Sequence, residues 1–75
     1  MKSSAEKKQI VKHPEVFFEV PKFEVSSFGL AHRVIMAMRQ AGISERDIQD
    51  YKNNVHGLSH SDTLIVSMYT VSVIL

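Results

Sequence analysis

The chain has 75 residues, a formal net charge of +1, 44% hydrophobic residues and no cysteine. This length allows one domain with a small core, which self-association often supplements, and the composition excludes disulfide bonds and cysteine-based zinc sites. The small net charge gives no long-range attraction to nucleic acid or to a membrane. No apolar run is long enough for a membrane span or a signal peptide, so we expect a cytoplasmic protein with no membrane partner.

The first segment, residues 1–12, is polar and shows no strong periodicity. Such a segment is typical of a flexible terminus, and its lysines suit solubility. We therefore predict a flexible basic tail over residues 1–12, followed by a single α+β domain over residues 13–75. The lysines of the tail are Lys2, Lys7, Lys8 and Lys12.

A strand is predicted between Glu15 and Val25, where valine and phenylalanine are frequent. Alternation places Val16, Phe18 and Val20 on one side of this strand, with Phe17 and Glu19 on the other. Pro21 removes a hydrogen-bond donor, which indicates a bend, a bulge or an edge position.

Two helices are predicted next, joined by a tight turn at Gly42. Ser26 or Ser27 caps the first helix, and Ser44 caps the second, which ends near Gly57. The apolar positions of the first helix are Phe28, Ala31, Val34, Ile35, Met38 and Ala41. Those of the second helix are Ile48, Tyr51 and Val55.

The sequence from residue 58 to residue 75 is compatible with two structures, one long strand or a helix followed by a strand. A cap at Ser59 or Ser61 and apolar residues at helical spacing favour a third helix near residues 61–69. The apolar positions of this helix are Leu64, Ile65, Met68 and Tyr69. The β-branched alternation of residues 70–75 then indicates a strand. We predict an α+β fold of three short helices with a small two-stranded antiparallel sheet formed by the N- and C-terminal strands. Its open edges favour pairing with another copy.

The sequence contains no recognisable catalytic or metal-binding motif. His56, His60 and Asp62 have a spacing that would suit a metal only on one helical face, but Gly57 places a turn between them. No nucleophile motif and no phosphate-binding glycine loop is present. We therefore predict no enzyme activity, no metal and no cofactor. The helical pair could alternatively be a DNA-binding helix-turn-helix motif. The second helix, however, begins with acidic residues, which would repel the phosphates of DNA.

Binding is the predicted role, because apolar surface exceeds what one strand or helix can bury. Phe17 and Phe18 cannot both face inward, and Met36 lies off the apolar stripe of its helix, so some of these side chains meet another molecule. The candidate interface residues are Phe17, Phe18, Met36 and Tyr69. The candidate ligand-binding residues, which could neutralise an anion such as a nucleotide at a subunit junction, are His32, Arg33, Arg39 and His56.

A set of helix caps, helix stops and apolar positions extends over residues 28–73. Its residues are Phe28, Val34, Ala37-Met38-Arg39, Ala41-Gly42, Ser44-Glu45-Arg46-Asp47-Ile48, Tyr51, Asp62-Thr63-Leu64 through Met68, and Val71-Ser72-Val73. In these features, rather than in any chemistry, the chain resembles a group of small, largely uncharacterised bacterial and phage proteins. The resemblance implies the third helix and favours a phage or prophage origin, but it implies no activity.

Together these features predict a non-enzymatic, homo-oligomeric binding protein that sequesters a small anionic ligand or occludes a host protein. The alternative is a nucleic-acid-binding regulator that uses the helical pair and the lysine-rich tail.

Overall fold

A computed structural model describes residues 11–22 and 25–75 of the chain. The described residues form three helices and two strands, which confirms the α+β class and the predicted order of the elements. The elements are β1 (His13–Glu19), α1 (Ser27–Gln40), α2 (Glu45–Val55), α3 (His60–Thr70) and β2 (Val71–Ile74).

Serine side chains fix the starts of all three helices. The hydroxyls of Ser26, Ser44 and Ser59 each accept a hydrogen bond from a backbone N–H in the first turn of α1, α2 and α3, at 3.0 to 3.2 Å. Gly42 and Gly57 follow α1 and α2 with φ values of 83° and 76°, a left-handed conformation that glycine adopts without strain. The predicted caps and stops are therefore confirmed.

The predicted antiparallel pairing of the two strands is wrong, because β1 and β2 are parallel. Phe17 lies beside Ser72 and Phe18 beside Val73, with an irregularity of register between His13 and Phe17. Parallel strands require a long crossover connection, and the three helices between β1 and β2 supply it. The alternation of side chains is the same for either direction, so the sequence pattern did not distinguish them.

The first strand begins earlier and ends earlier than predicted. The backbone N–H of Lys12 donates to the carbonyl of Tyr69 at 2.9 Å, which draws this part of the chain against the end of α3. His13 and Lys12 also approach Asp47 of α2, at 3.1 Å and 3.5 Å. The His13 Nε2 contact lacks hydrogen-bond geometry, and the Lys12 pair is half-exposed, so each contributes little stability. Most of the predicted basic tail, residues 1–10, lies outside the described residues.

The core lies around α1, which packs against α2, α3 and β1. Leu30, Val34 and Met38 of α1 are completely buried, whereas Phe28, predicted to be part of the same apolar stripe, is 81% exposed. The sheet contributes Val16, Phe18 and Val71 from its inner side. The other buried apolar residues are Ala31, Ile35, Ile48, Tyr51 and Val55.

The buried face of α3 is small and polar rather than apolar. Thr63 and Ser67 are its buried residues, whereas Ile65 and Tyr69, predicted as apolar positions, are half-exposed. The Ser67 hydroxyl donates to the Thr63 carbonyl at 2.7 Å, so the Tyr51 hydroxyl, 2.7 Å away, donates to Ser67. Two short side chains allow α3 to approach the large Tyr51 ring on α2, which explains why the small face points inward.

Tyr51 makes the stability of the fold sensitive to high pH. Burial raises the pKa of the Tyr51 phenol above its ordinary value of 10.0, because the phenolate is poorly solvated in the core. The unfolded chain therefore loses this proton at a lower pH than the folded protein. The neutral Tyr51 phenol therefore makes a contribution to the free energy of unfolding that is complete below pH 10 and is lost as the pH rises through the raised folded-state pKa.

We expect urea denaturation above pH 10 to show a steeper loss of stability in the native protein than in Tyr51→Phe. Parallel pH profiles for the two proteins would contradict this expectation.

Candidate functional site

A pocket of about 640 Å³ lies between α1 and the end of α2. One wall is formed by residues that recur every three or four positions along α1, and these share one side of that helix. The other wall is formed by the last turn of α2 and the turn that follows it. The lining residues are Ser27, Phe28, Ala31, His32, Ile35, Arg39, Lys52, Val55, His56, Gly57 and Leu58.

The floor of the pocket is apolar. Ala31, Ile35 and Val55 belong to the core but keep 8 to 9% of their surface exposed, and Leu58 packs against the same core. The Phe28 ring, 81% exposed, lines the same pocket from the first turn of α1. An exposed ring beside an apolar floor provides a surface on which the flat or apolar part of a ligand could lie.

Basic and imidazole side chains accompany this apolar floor. Arg39 is in the last turn of α1, and Lys52 is in the last turn of α2. His32 and His56 also line the pocket, whereas no aspartate or glutamate is present among the described lining residues. The electrostatic character of the pocket therefore favours an anion.

Arg39 forms an ion pair with Glu45, the first residue of α2. Arg39 Nε lies 3.1 Å from one carboxylate oxygen and Nη2 lies 3.2 Å from the other, a bidentate geometry. This hydrogen bonding lowers the pKa of the Glu45 carboxyl and raises the pKa of the Arg39 guanidinium. Glu45 takes two of the five guanidinium N–H groups, so Arg39 keeps donors for a ligand. Both side chains are exposed, so their ion pair is a weak constraint.

The structure brings together three of the four residues predicted to bind a ligand. His32, Arg39 and His56 line this pocket, and Arg33 lies on the other side of α1, in a more open groove that His32 and Met36 also line. Lys52 was missed by the sequence analysis. Its position one turn before His56 was a usable signal, because residues four apart share a helical face.

The predicted interface residues do not form one surface. Phe17, Met36 and Tyr69 are exposed to 67%, 43% and 52%, but they belong to β1, α1 and α3 respectively. Phe18 is buried in the core, because it shares the inner side of β1 with Val16. It is therefore not available at the surface of the single chain.

Neither a membrane-spanning helix nor a metal-binding cluster occurs in the described part of the chain. None of its helices combines the length and the apolar character needed to cross a bilayer. Within the same residues, no group of three or more histidine, aspartate or glutamate side chains could hold a metal ion.

Comparison with known proteins found no matching family model, no matching curated protein and no matching solved structure. The resemblance to small bacterial and phage proteins therefore stays a prediction.

Proposed function

We propose that this protein is a non-enzymatic binding protein that holds a small organic anion in the pocket between α1 and the end of α2. The observation that carries the proposal is the composition of this pocket. An apolar floor is combined with Arg39, Lys52 and two histidines, without a carboxylate among the described lining residues.

The size of the pocket suits a small molecule rather than a simple ion. Ligand pockets in proteins typically span roughly 300 to 1,000 Å³, and the volume of about 640 Å³ lies within this range. An inorganic anion would leave the apolar floor unused. A ligand with an aromatic or apolar body and one negatively charged group would use both parts of the site, since burial of the body adds to the charged contacts.

Binding is proposed rather than catalysis because the lining residues do not form a catalytic pair. Ser27 supplies the only hydroxyl among the described lining residues, and it makes no hydrogen bond to His32 or His56. An activated serine requires such a base within hydrogen-bond reach. The pocket is formed within one chain, so the proposal does not require a subunit junction.

Adenosine monophosphate, adenosine and inorganic phosphate together test the proposal by isothermal titration calorimetry. Adenosine monophosphate carries both a ring system and an anion, whereas each of the other two carries one of them. We expect adenosine monophosphate to bind at least about tenfold more tightly than either, because an anion contact contributes roughly 1.5 kcal/mol or more. The binding should weaken as salt is raised.

Lys52→Gln removes one of the cations that line the pocket and should weaken the binding of adenosine monophosphate. Its matched control is Arg46→Gln, because Arg46 is an exposed cation of α2 that does not line the pocket. This variant has the same loss of charge as Lys52→Gln but should bind adenosine monophosphate like the native protein. Equal weakening by both variants would show that net charge, rather than this pocket, attracts the anion. If the native protein did not bind adenosine monophosphate, the proposal would be contradicted.

A further inference from the structure

The end of the chain, from Thr63 to Leu75, contains no charged side chain. This segment comprises most of α3 and the whole of β2. Only Thr63, Ser67 and Val71 are buried within it, while Ile65, Tyr69 and Ile74 are about half-exposed and Leu75 is 85% exposed. A helix that is apolar on several sides is normally buried on several sides, so this segment has more apolar surface than the single chain covers.

Among the described residues, one edge of β2 has no neighbouring strand. The described residues form a two-stranded sheet, in which β2 pairs with β1 along one edge only. The carbonyl of Ile74 accepts from Val20 N–H at 3.0 Å, so Ile74 uses the edge that faces β1. Successive residues of a strand direct their backbone groups to opposite edges, and Val73 therefore directs its N–H and C=O to the open edge.

The two edges of the sheet differ in their protection against pairing. The strand β1 contains Pro14, Glu15 and Glu19 and an irregularity of register, which are features that discourage a further strand. The strand β2, Val-Ser-Val-Ile, contains no charge and no proline. An unprotected edge of β-branched residues is suited to pair with another strand.

We propose that the open edge of β2 pairs with β2 of a second copy, antiparallel about a two-fold axis at Val73. The result is a four-stranded sheet with the order β1-β2-β2-β1. In this arrangement the backbone groups of the two Val73 residues bond to each other, and Ser72 lies opposite Ile74 of the partner subunit.

The lack of charge along this edge favours a second copy of the chain as the occupant. A two-fold axis brings a surface against itself, and the uncharged segment from Thr63 to Leu75 does so without repulsion. The same operation on β1, with its axis at Phe17, would place Glu15 opposite Glu19 of the partner subunit and bring like charges together. The neutral edge therefore suits self-pairing, whereas the acidic edge opposes it.

Val73→Pro tests this interface in sedimentation velocity experiments. Proline removes the N–H of Val73 and blocks the open edge, but this N–H makes no bond to β1, so the single chain keeps its sheet. Val73→Ala is the matched control, because it shortens the same side chain and keeps the N–H. We expect the native protein and Val73→Ala to show twice the 8.5 kDa mass of one chain, and Val73→Pro to show the mass of one chain with unchanged helical circular dichroism.

Hydrogen exchange of the native protein gives a second measurement that does not depend on the folding of a variant. The amide of Val73 should exchange at least about tenfold more slowly at high protein concentration than at low concentration, because dimer formation buries it. A native protein with the mass of one chain at every concentration would overturn the proposal. A dimer whose Val73 amide exchanges at a rate independent of concentration, or a dimeric Val73→Pro, would overturn it equally.

Discussion

Leu30→Ala is expected to lower the free energy of unfolding by about 3 kcal/mol. Leu30 is completely buried in α1, the helix that packs against β1 and both other helices. Truncation leaves a cavity among side chains that the surrounding elements hold in place, so the lost contacts are replaced only in part. A domain of this size has a small core and little stability to spare, and we expect a substantial unfolded fraction in Leu30→Ala.

Phe28→Ala is the matched control for this experiment, since it truncates a large apolar side chain two residues away on the same helix. Phe28 is 81% exposed, so its removal should change the free energy of unfolding by less than about 0.5 kcal/mol. Urea denaturation followed by circular dichroism measures both values. If the two variants were equally destabilised, the described packing of α1 would be incorrect.

Lys52→Glu is expected to weaken the binding of adenosine monophosphate by roughly 100-fold, or about 2.7 kcal/mol. The substitution removes a cation from the pocket and places an anion there, so a favourable contact is replaced by repulsion. Glu45, whose carboxyl pKa the Lys52 charge also lowers, would then add a second negative charge near the site. Arg39 would remain the only arginine or lysine among the described lining residues.

Arg46→Glu changes the net charge of the protein by the same amount and serves as the control. Arg46 lies in the first turn of α2, away from the pocket, and a negative charge there suits the helix dipole. Its affinity for adenosine monophosphate should therefore stay close to that of the native protein. A loss of affinity in Arg46→Glu as large as that in Lys52→Glu would show that the ligand does not contact the pocket.

The helices could be predicted from the sequence because their signals are local. Ser44 and Gly42 act on neighbouring backbone groups, so residue type and position decide where these helices begin and end. The buried face of α2 was also predicted, because Ile48, Tyr51 and Val55 are separated by polar residues.

The strand direction and the inward face of α3 could not be predicted, because both depend on distant contacts. Alternation in β1 and β2 is compatible with either direction, and only the path of three helices decides it. In α3 the spacing of the large apolar residues predicted an apolar buried face. Ser67 points inward instead, because its hydroxyl accepts a hydrogen bond from the Tyr51 hydroxyl. The sequence offered no sign of this pairing across two helices.

The candidate site was predicted in part. The sequence indicated an anion near His32, Arg39 and His56, since these side chains lie on or just after the helical pair. It did not place Arg33 on the opposite side of α1, nor did it include Lys52. The crossing of α1 and α2 decides which side chains share a pocket, and helical periodicity within one element does not contain that information.

An NMR titration of the protein with adenosine monophosphate tests whether an anion binds between α1 and the end of α2. Backbone amide shifts report the site of contact residue by residue. We predict progressive shifts for Arg39, Lys52, His56 and Gly57, which line only this pocket, and none for Val20 or Lys22, which line only the other groove. Shifts confined to the other groove, or no shifts at the highest ligand concentration, would contradict anion binding in this pocket.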